Sequence, residues 1–340
     1  MPLITNAPPA TPVDPVTEVM HGVPVTDPYR WLEDQDSAQT REWLEQQAAY
    51  THAYLDALPG RDRIRKRVRD LLAVDVISEP WKVGNRYFFL KRSKNQEQPV
   101  IMMREYDTGE DILLVDPAER DETGTLAVNI LSISDDARHL AYSTRYGGED
   151  SCAVEFLDVN LRATVSDRLP RGLCRGLVFS PDGRGFYYLH ERLESPHASP
   201  YVVKWHGFGL ELSTDLDIFS IDPNPNRHLG MSASPDGKVL GYMVVSLEGP
   251  RTIDFYIHDL ENGKPPRRIV ERMEGVFSLR FAGRTLLALT DSGSPNGRIV
   301  SIDPDHPQRD AWHDVVPETK ARIQDLAIAE IGRASCRERV

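Results

Sequence analysis

The feature that most limits what this chain can fold into is a turn that returns. Phe179-Ser180-Pro181-Asp182-Gly183 is followed by Arg184-Gly185-Phe186-Tyr187-Tyr188-Leu189, and Ser234-Pro235-Asp236-Gly237 by Lys238-Val239-Leu240-Gly241-Tyr242-Met243. Proline sets φ, aspartate bonds its own backbone, and glycine takes the positive φ of a tight reversal. The residues that follow have strand chemistry. A weaker copy, Ser134-Asp135-Asp136 with His139-Leu140-Ala141-Tyr142 after it, lies upstream. Copies recur at about 50 residues, near the length of one four-stranded propeller blade. A second element also repeats, an apolar strand ending in aspartate: Val154–Asp158, Ile218–Asp222, Phe255–Asp259 and Ile299–Asp303. The runs Tyr87–Leu90, Leu177–Phe179 and Leu286–Leu289 are apolar on both faces, which suits sheets covered on both sides. Pairing these elements predicts about five blades, with a sixth beginning near Ile323–Ile328.

Composition narrows the function classes. Hydrophobic residues make up 40% of the 340 positions, enough for a packed core, and the net charge is −12. Such a balance argues against a nucleic-acid partner, because phosphate binding needs a basic face; it reads as a solubility device. No apolar run approaches the roughly 20 residues of a membrane span, so no membrane partner is expected. The first residues have neither the basic nor the apolar region of a leader. Cys152, Cys174 and Cys336 form no disulfide framework and no metal spacing, and they suit a reducing, cytoplasmic compartment.

Ahead of the repeats, residues 1–20 read as an extended arm. In Asp27-Pro28-Tyr29-Arg30-Trp31-Leu32-Glu33-Asp34, Asp-Pro sets a turn or extended entry and the large side chains want a surface to pack on. Asp36 and Gln39 have capping-box spacing. A helix is predicted over about Ser37–Leu58, with Trp43, Tyr50 and Tyr54 on one face and Leu44 and Leu55 beside it; Pro59-Gly60 ends it. A second helix is predicted over about Asp62–Leu72, with Ile64, Val68 and Leu71 inward and a solvated basic outer face.

The Asp-Pro-Tyr-X-Trp-Leu-Glu-Asp string, the helical hairpin with Trp43 and the propeller texture that follows resemble the prolyl oligopeptidase family of serine peptidases. So do the segment from Trp205-His206-Gly207 through Asp217-Ile218-Phe219 and Ser294-Pro295-Asn296-Gly297-Arg298 before a strand. The likeness covers residues 20–330. It implies a mainly β fold: a seven-bladed β-propeller, incomplete in this chain, behind an N-terminal helical segment. It also implies a C-terminal α/β-hydrolase domain that carries Ser, Asp and His in that order, on which the N-terminal segment packs. The propeller would gate entry of short, flexible peptides. Members cleave after proline or, in the oligopeptidase B branch, after basic residues; the N-terminal details and the Ser-Pro-Asn-Gly-Arg segment look more like the proline-specific branch.

The residues for that chemistry are not found in the sequence. No Gly-X-Ser-X-Gly elbow occurs, and Gly293-Ser294-Pro295-Asn296-Gly297 sets Ser one position early with Pro after it. No metal, phosphate-loop or Cys-X-X-Cys motif occurs, and no cofactor is expected. Glu149-Asp150 and Glu191-Arg192 read as exposed loop charges rather than as a channel lining. Cys152 and Cys174 read as small apolar residues. Residues 331–340, Ile-Gly-Arg-Ala-Ser-Cys-Arg-Glu-Arg-Val, suit neither a propeller strand nor a hydrolase start; one choice of codons for them spells a common sequencing-library adapter. The reading is therefore 1–73 as N-terminal arm and helical hairpin, 74–330 as an incomplete propeller, and 331–340 as non-native. It describes a fragment of a peptidase, inactive as it stands, whose partners are short peptides and its own hydrolase domain. A non-catalytic propeller that works as a binding module and a fragment of a basic-specific oligopeptidase B are the alternatives.

Overall fold

The structure, a computed structural model, describes residues 7–192, 200–329 and 333–339. It separates into two units, residues 1–74 and 75–340.

In the first unit, strands β1 (Val16–Met20) and β2 (Val23–Asp27) form an antiparallel hairpin across His21-Gly22. The arm predicted as extended is thus partly paired. The Asp27–Asp34 string then closes on itself. Asp27 accepts the Tyr29 amide at 2.8 Å and the Arg30 guanidinium at 3.2 Å, and Arg30 also reaches Glu18 on β1 at 2.9 Å. Helix α1 (Ala38–Asp56) follows. Its cap is Ser37, whose hydroxyl accepts the Thr40 amide, rather than the predicted Asp36. Asp36 is drawn away because its amide donates to Asp34 and its carboxylate pairs with Arg41. Trp31 stacks edge-to-face on Trp43 with centroids 6.2 Å apart, and Thr40 donates to the Trp31 carbonyl. Helix α2 (Arg61–Leu72) starts after Gly60, at φ +86°. The inward face predicted for it is not buried: Ile64 is 62% and Leu71 56% exposed, and Val68, Leu44 and Leu55 are also exposed. Among its described residues the short unit holds no further element that covers this apolar stripe.

The second unit is a succession of antiparallel blades. Blade 1 comprises β3 (Val76–Ile77), β4 (Trp81–Val83), β5 (Arg86–Arg92), β6 (Val100–Glu105) and β7 (Asp111–Val115), with β3 and β4 both pairing with β5. Next come β8 (Leu126–Ile133), β9 (His139–Tyr146), β10 (Cys152–Asp158), β11 (Ala163–Phe179), β12 (Gly185–Arg192), β13 (Val202–Gly207) and β14 (Leu216–Ser220), which hydrogen-bond in order as one seven-stranded sheet. This sheet is blades 2 and 3 joined. The first half of β11 pairs with β10 and its second half with β12, so a single strand closes one blade and opens the next. Blade 4 is β15 (Arg227–Ala233), β16 (Val239–Ser246), β17 (Thr252–Asp259) and β18 (Arg267–Glu274). Blade 5 is β19 (Phe277–Ala282), β20 (Thr285–Thr290), β21 (Arg298–Ile302) and β22 (His313–Val316). A last hairpin pairs β23 (Arg322–Ala329) with β24 (Arg333–Arg339).

Two sequence expectations change here. Ile218–Asp222 is not equivalent to the other strand–Asp elements. Those close the third strands β10, β17 and β21, whereas this one overlaps the outer strand β14, blade 3 having β13 as its third. The tail expected to suit no propeller strand is a strand, β24, along β23. An open strand edge accepts any extended backbone that lies beside it, whatever its side chains prefer.

Apolar seams join the blades. Phe88, Ile101 and Met103 of blade 1 pack with Val128, Leu140 and Tyr142 of blade 2. Phe156 and Leu169 meet Phe179, Phe186 and Tyr188 across the next seam. Leu189 and Val203 meet Leu240 and Tyr242, and Phe255 and Val270 meet Phe281 and Ile302. Leu289 and Ile299 meet Ile323 and Leu326 of the last hairpin. Alternate residues of each central strand enter opposite seams, which is why these strands are apolar on both faces.

Candidate functional site

The repeated turns link the first and second strands of blades 2, 3 and 4, and their central device is serine. Ser134, Ser180 and Ser234 are buried. Each hydroxyl donates to the aspartate two residues on, at 2.6, 2.7 and 2.6 Å. Each accepts the first amide of the next strand, from His139, Gly185 and Val239 at 2.8, 3.1 and 3.0 Å. The Ser234 hydroxyl holds the Asp236 carboxyl below the usual carboxylate range. Gly183 and Gly237 take φ +68° and +66° as expected, and Ala137 holds the same place in the weaker copy at φ +55°. A side chain on Gly237 would stand 3.2 Å from Pro181 and 3.7 Å from Asp135, so the three turns converge. Burial, then the carboxylates of Asp236 and Asp136, push the Asp135 carboxyl up.

No catalytic constellation is assembled among the described residues. Ser294 is buried in the turn after β20, its amide donating to the Asp291 carbonyl and its own carbonyl accepting from Gly297. Glu149, in the turn after β9, pairs with Arg171; Glu191 and Arg192, expected in a loop, instead end strand β12, where Glu191 pairs with Arg175 at 3.0 Å and the Arg192 side chain lies outside the described residues. Cys152 is buried and Cys174 half-buried, and burial pushes the Cys174 thiol up to about 11. The Cys336 side chain lies outside the described residues. No group of three or more His, Cys, Asp or Glu side chains among those described is arranged to hold a metal ion. No described helix is long and apolar enough to cross a membrane.

One charged cluster escaped sequence reasoning. His206 on β13 is 1% exposed in its side chain, with Nδ1 2.6 Å from Asp215 and Nε2 3.1 Å from Asp167. Asp215 also accepts the Tyr188 hydroxyl at 2.5 Å, and Asp167 the Gly209 amide at 2.7 Å. Asp–His pairing is half of a hydrolytic triad, but here the second nitrogen faces a carboxylate and not a nucleophile. The spacing 167, 188, 206, 215 carries no local signal, since four separate segments supply the groups.

Two concavities lie elsewhere on the blades. One, of about 280 Å³, sits over the turns of blades 4 and 5, with Val239, Ile257 and Phe281 as its floor and Lys264, Arg284 and Asp303 at its rim. The other lies on blade 1, where Ile77, Pro80, Tyr87 and Phe89 are joined by Arg104 and Asp107. Arg104 lies over the Phe89 ring and pairs with Asp111, as does Lys91. The hydrogen bond from Lys91 is the main cause that holds the Asp111 carboxyl low.

One family model reaches across both units. Residues 8–330 match the model of the prolyl oligopeptidase N-terminal β-propeller domain. The chain belongs to the prolyl oligopeptidase family. Among relatives in this family, a prolyl endopeptidase of Elizabethkingia meningoseptica is 28% identical over 315 residues, covering 91% of this chain and 44% of the relative. Protease 2 of Moraxella lacunata is 23% identical over 83% of this chain and 41% of its own length. A solved prolyl endopeptidase superposes with a TM-score of 0.86 at 28% identity, over 98% of this chain and 50% of that one. Oligopeptidase B from Leishmania major shares the fold, with a TM-score of 0.74 at 18% identity, over 95% of this chain and 48% of that one. The chain therefore spans about half the length of the relatives it matches.

Proposed function

We propose that this chain is the N-terminal segment and gating propeller of a prolyl-oligopeptidase-type serine endopeptidase acting on short proline-containing peptides. The observation that carries the reading is the family match over residues 8–330 in a chain that spans half its relatives. In this reading Ser, Asp and His reside in a hydrolase domain beyond these residues. There the serine attacks the peptide carbonyl, the histidine takes and returns the proton, and fixed donors hold the oxyanion. The outward stripe Ile64, Val68, Leu71 and Leu72 supports the view that the N-terminal helices serve as a docking surface for that domain. Residues 331–340 are read as adapter-derived; the end of the family match at residue 330 supports this. A cytoplasmic location suits the thiols of Cys152 and Cys174.

A sequencing read through the source locus past the codon for Glu330 is the test. A frame that continues through further blades into a domain with Gly-X-Ser-X-Gly, Asp and His supports the reading. A frame that ends at Val340 in the genome overturns it in favour of a binding-only propeller. Purified 340-residue chain is expected not to turn over a chromogenic proline peptide; turnover abolished by a serine-directed inhibitor would contradict the assignment of the triad elsewhere.

A further inference from the structure

Helix α2 carries six cations, Arg61, Arg63, Arg65, Lys66, Arg67 and Arg69, against two carboxylates, Asp62 and Asp70, in a chain whose net charge is −12. The docking role proposed above rests on its apolar stripe and leaves these cations unused. At 3.6 residues per turn, Arg61, Arg65 and Arg69 run down one flank of Ile64, Val68 and Leu71, and Arg63 and Arg67 run down the other. Part of this charge is satisfied within the unit. Arg61 and Arg65 both meet Asp56, Arg65 also reaches Asp62 at 3.3 Å, and Lys66 pairs with Asp70 at 2.6 Å. Arg63, Arg67 and Arg69 are exposed, and no acidic group among the described residues pairs with them. Three guanidinium groups without a partner thus border both sides of an uncovered apolar stripe. An apolar centre with a charged rim is the anatomy of a protein interface, where arginine is enriched and lysine depleted. The guanidinium fork matches a carboxylate with two parallel hydrogen bonds. A lipid surface fits less well. Helix α2 has no aromatic residue to seat at a headgroup boundary, and the acidic balance of the chain opposes its approach to an anionic surface.

We propose, resting on the docking role already given to this helix, that α2 is held by a two-sided arginine clamp. Carboxylates on the hydrolase-domain face that covers Ile64, Val68 and Leu71 pair with Arg69 on one flank and with Arg63 and Arg67 on the other. The covering face then has an apolar strip between two sets of acidic side chains. Ion pairs at the rim of an interface weaken as salt is added. Ionic strength therefore sets how firmly the N-terminal segment is held, while the apolar stripe sets where it sits.

Phenylglyoxal labelling of arginine, read by mass spectrometry, tests the clamp on full-length protein expressed from the source locus and on the 340-residue chain. In the 340-residue chain Arg63, Arg67 and Arg69 are expected to react freely, with or without added salt. In full-length protein at low salt they are expected to react at least about fivefold more slowly. That protection is expected to shrink as sodium chloride is raised to about 0.5 M. Binding of a hydrophobic dye reports separately on whether the stripe is covered. If full-length protein no longer binds dye but its three arginines react as fast as in the shorter chain, the docking role stands and the clamp is overturned. Protection that is unchanged by salt overturns the clamp in the same way. Full-length protein that binds dye as the shorter chain does and shows no protection overturns both, as does a locus that encodes no hydrolase domain. Sedimentation of the 340-residue chain with phosphatidylglycerol vesicles, but not with phosphatidylcholine vesicles, assigns the helix to a lipid surface and overturns the clamp.

Discussion

At the residue scale the serine of each repeated turn matters as much as its Pro-Asp-Gly. Ser234 is buried and satisfies both Asp236 and the Val239 amide. Ser234→Ala leaves that amide without its acceptor and is expected to cost about 1–2 kcal/mol, read as a lower urea midpoint. Ala137 holds a positive φ that glycine adopts freely, so Ala137→Gly is expected to stabilise by about 0.5–1 kcal/mol; a loss of stability would show that the Cβ packs usefully there. Cys174 follows from burial alone. Its thiol, raised to about 11 when folded, starts from about 8.5 in an unfolded chain. Because the folded value is the higher, the stability this thiol contributes is fully present below about pH 8.5. It is lost as pH rises toward the folded value. In the folded chain at pH 8, iodoacetamide is expected to leave Cys174 unmodified, and denaturation is expected to expose it; rapid native modification would contradict the burial.

Among the elements, the two helices and the central strands answer differently to their neighbours. Every residue of Leu286–Leu289 is buried because seams lie on both sides of β20. The apolar stripe of α2 has the same chemistry and stays exposed. Replacing Ile64 and Leu71 together by Gln is therefore expected to change the stability of this chain by less than about 0.5 kcal/mol and to reduce binding of a hydrophobic dye. A large destabilisation would mean that the stripe is already covered in solution. The Trp31–Trp43 contact and the Asp27–Arg30 turn show how the N-terminal string organises itself without any blade. Its family signature was legible because these contacts are local. The cap at Ser37 was misplaced by one residue because Asp36 had a competing partner in Arg41, which spacing alone does not weigh.

Over the whole molecule, the exposed stripe on α2 and the backbone edges of an open hairpin favour self-association. Dilute chain is expected to bind dye and to form concentration-dependent species; a sharp cooperative melt with a compact monomeric profile would favour the binding-module alternative. The sequence by itself determined the blade texture, the blade period, the turns that carry it and the family, because each rests on contacts between residues near one another in the chain. Tertiary structure alone decided that β11 serves two blades, that Ile218–Asp222 is an outer strand and that residues 333–339 lie along β23. It also decided that His206 sits between Asp167 and Asp215. These depend on groups brought together across blades, and no spacing along the chain encodes which carboxylate a buried imidazole will meet.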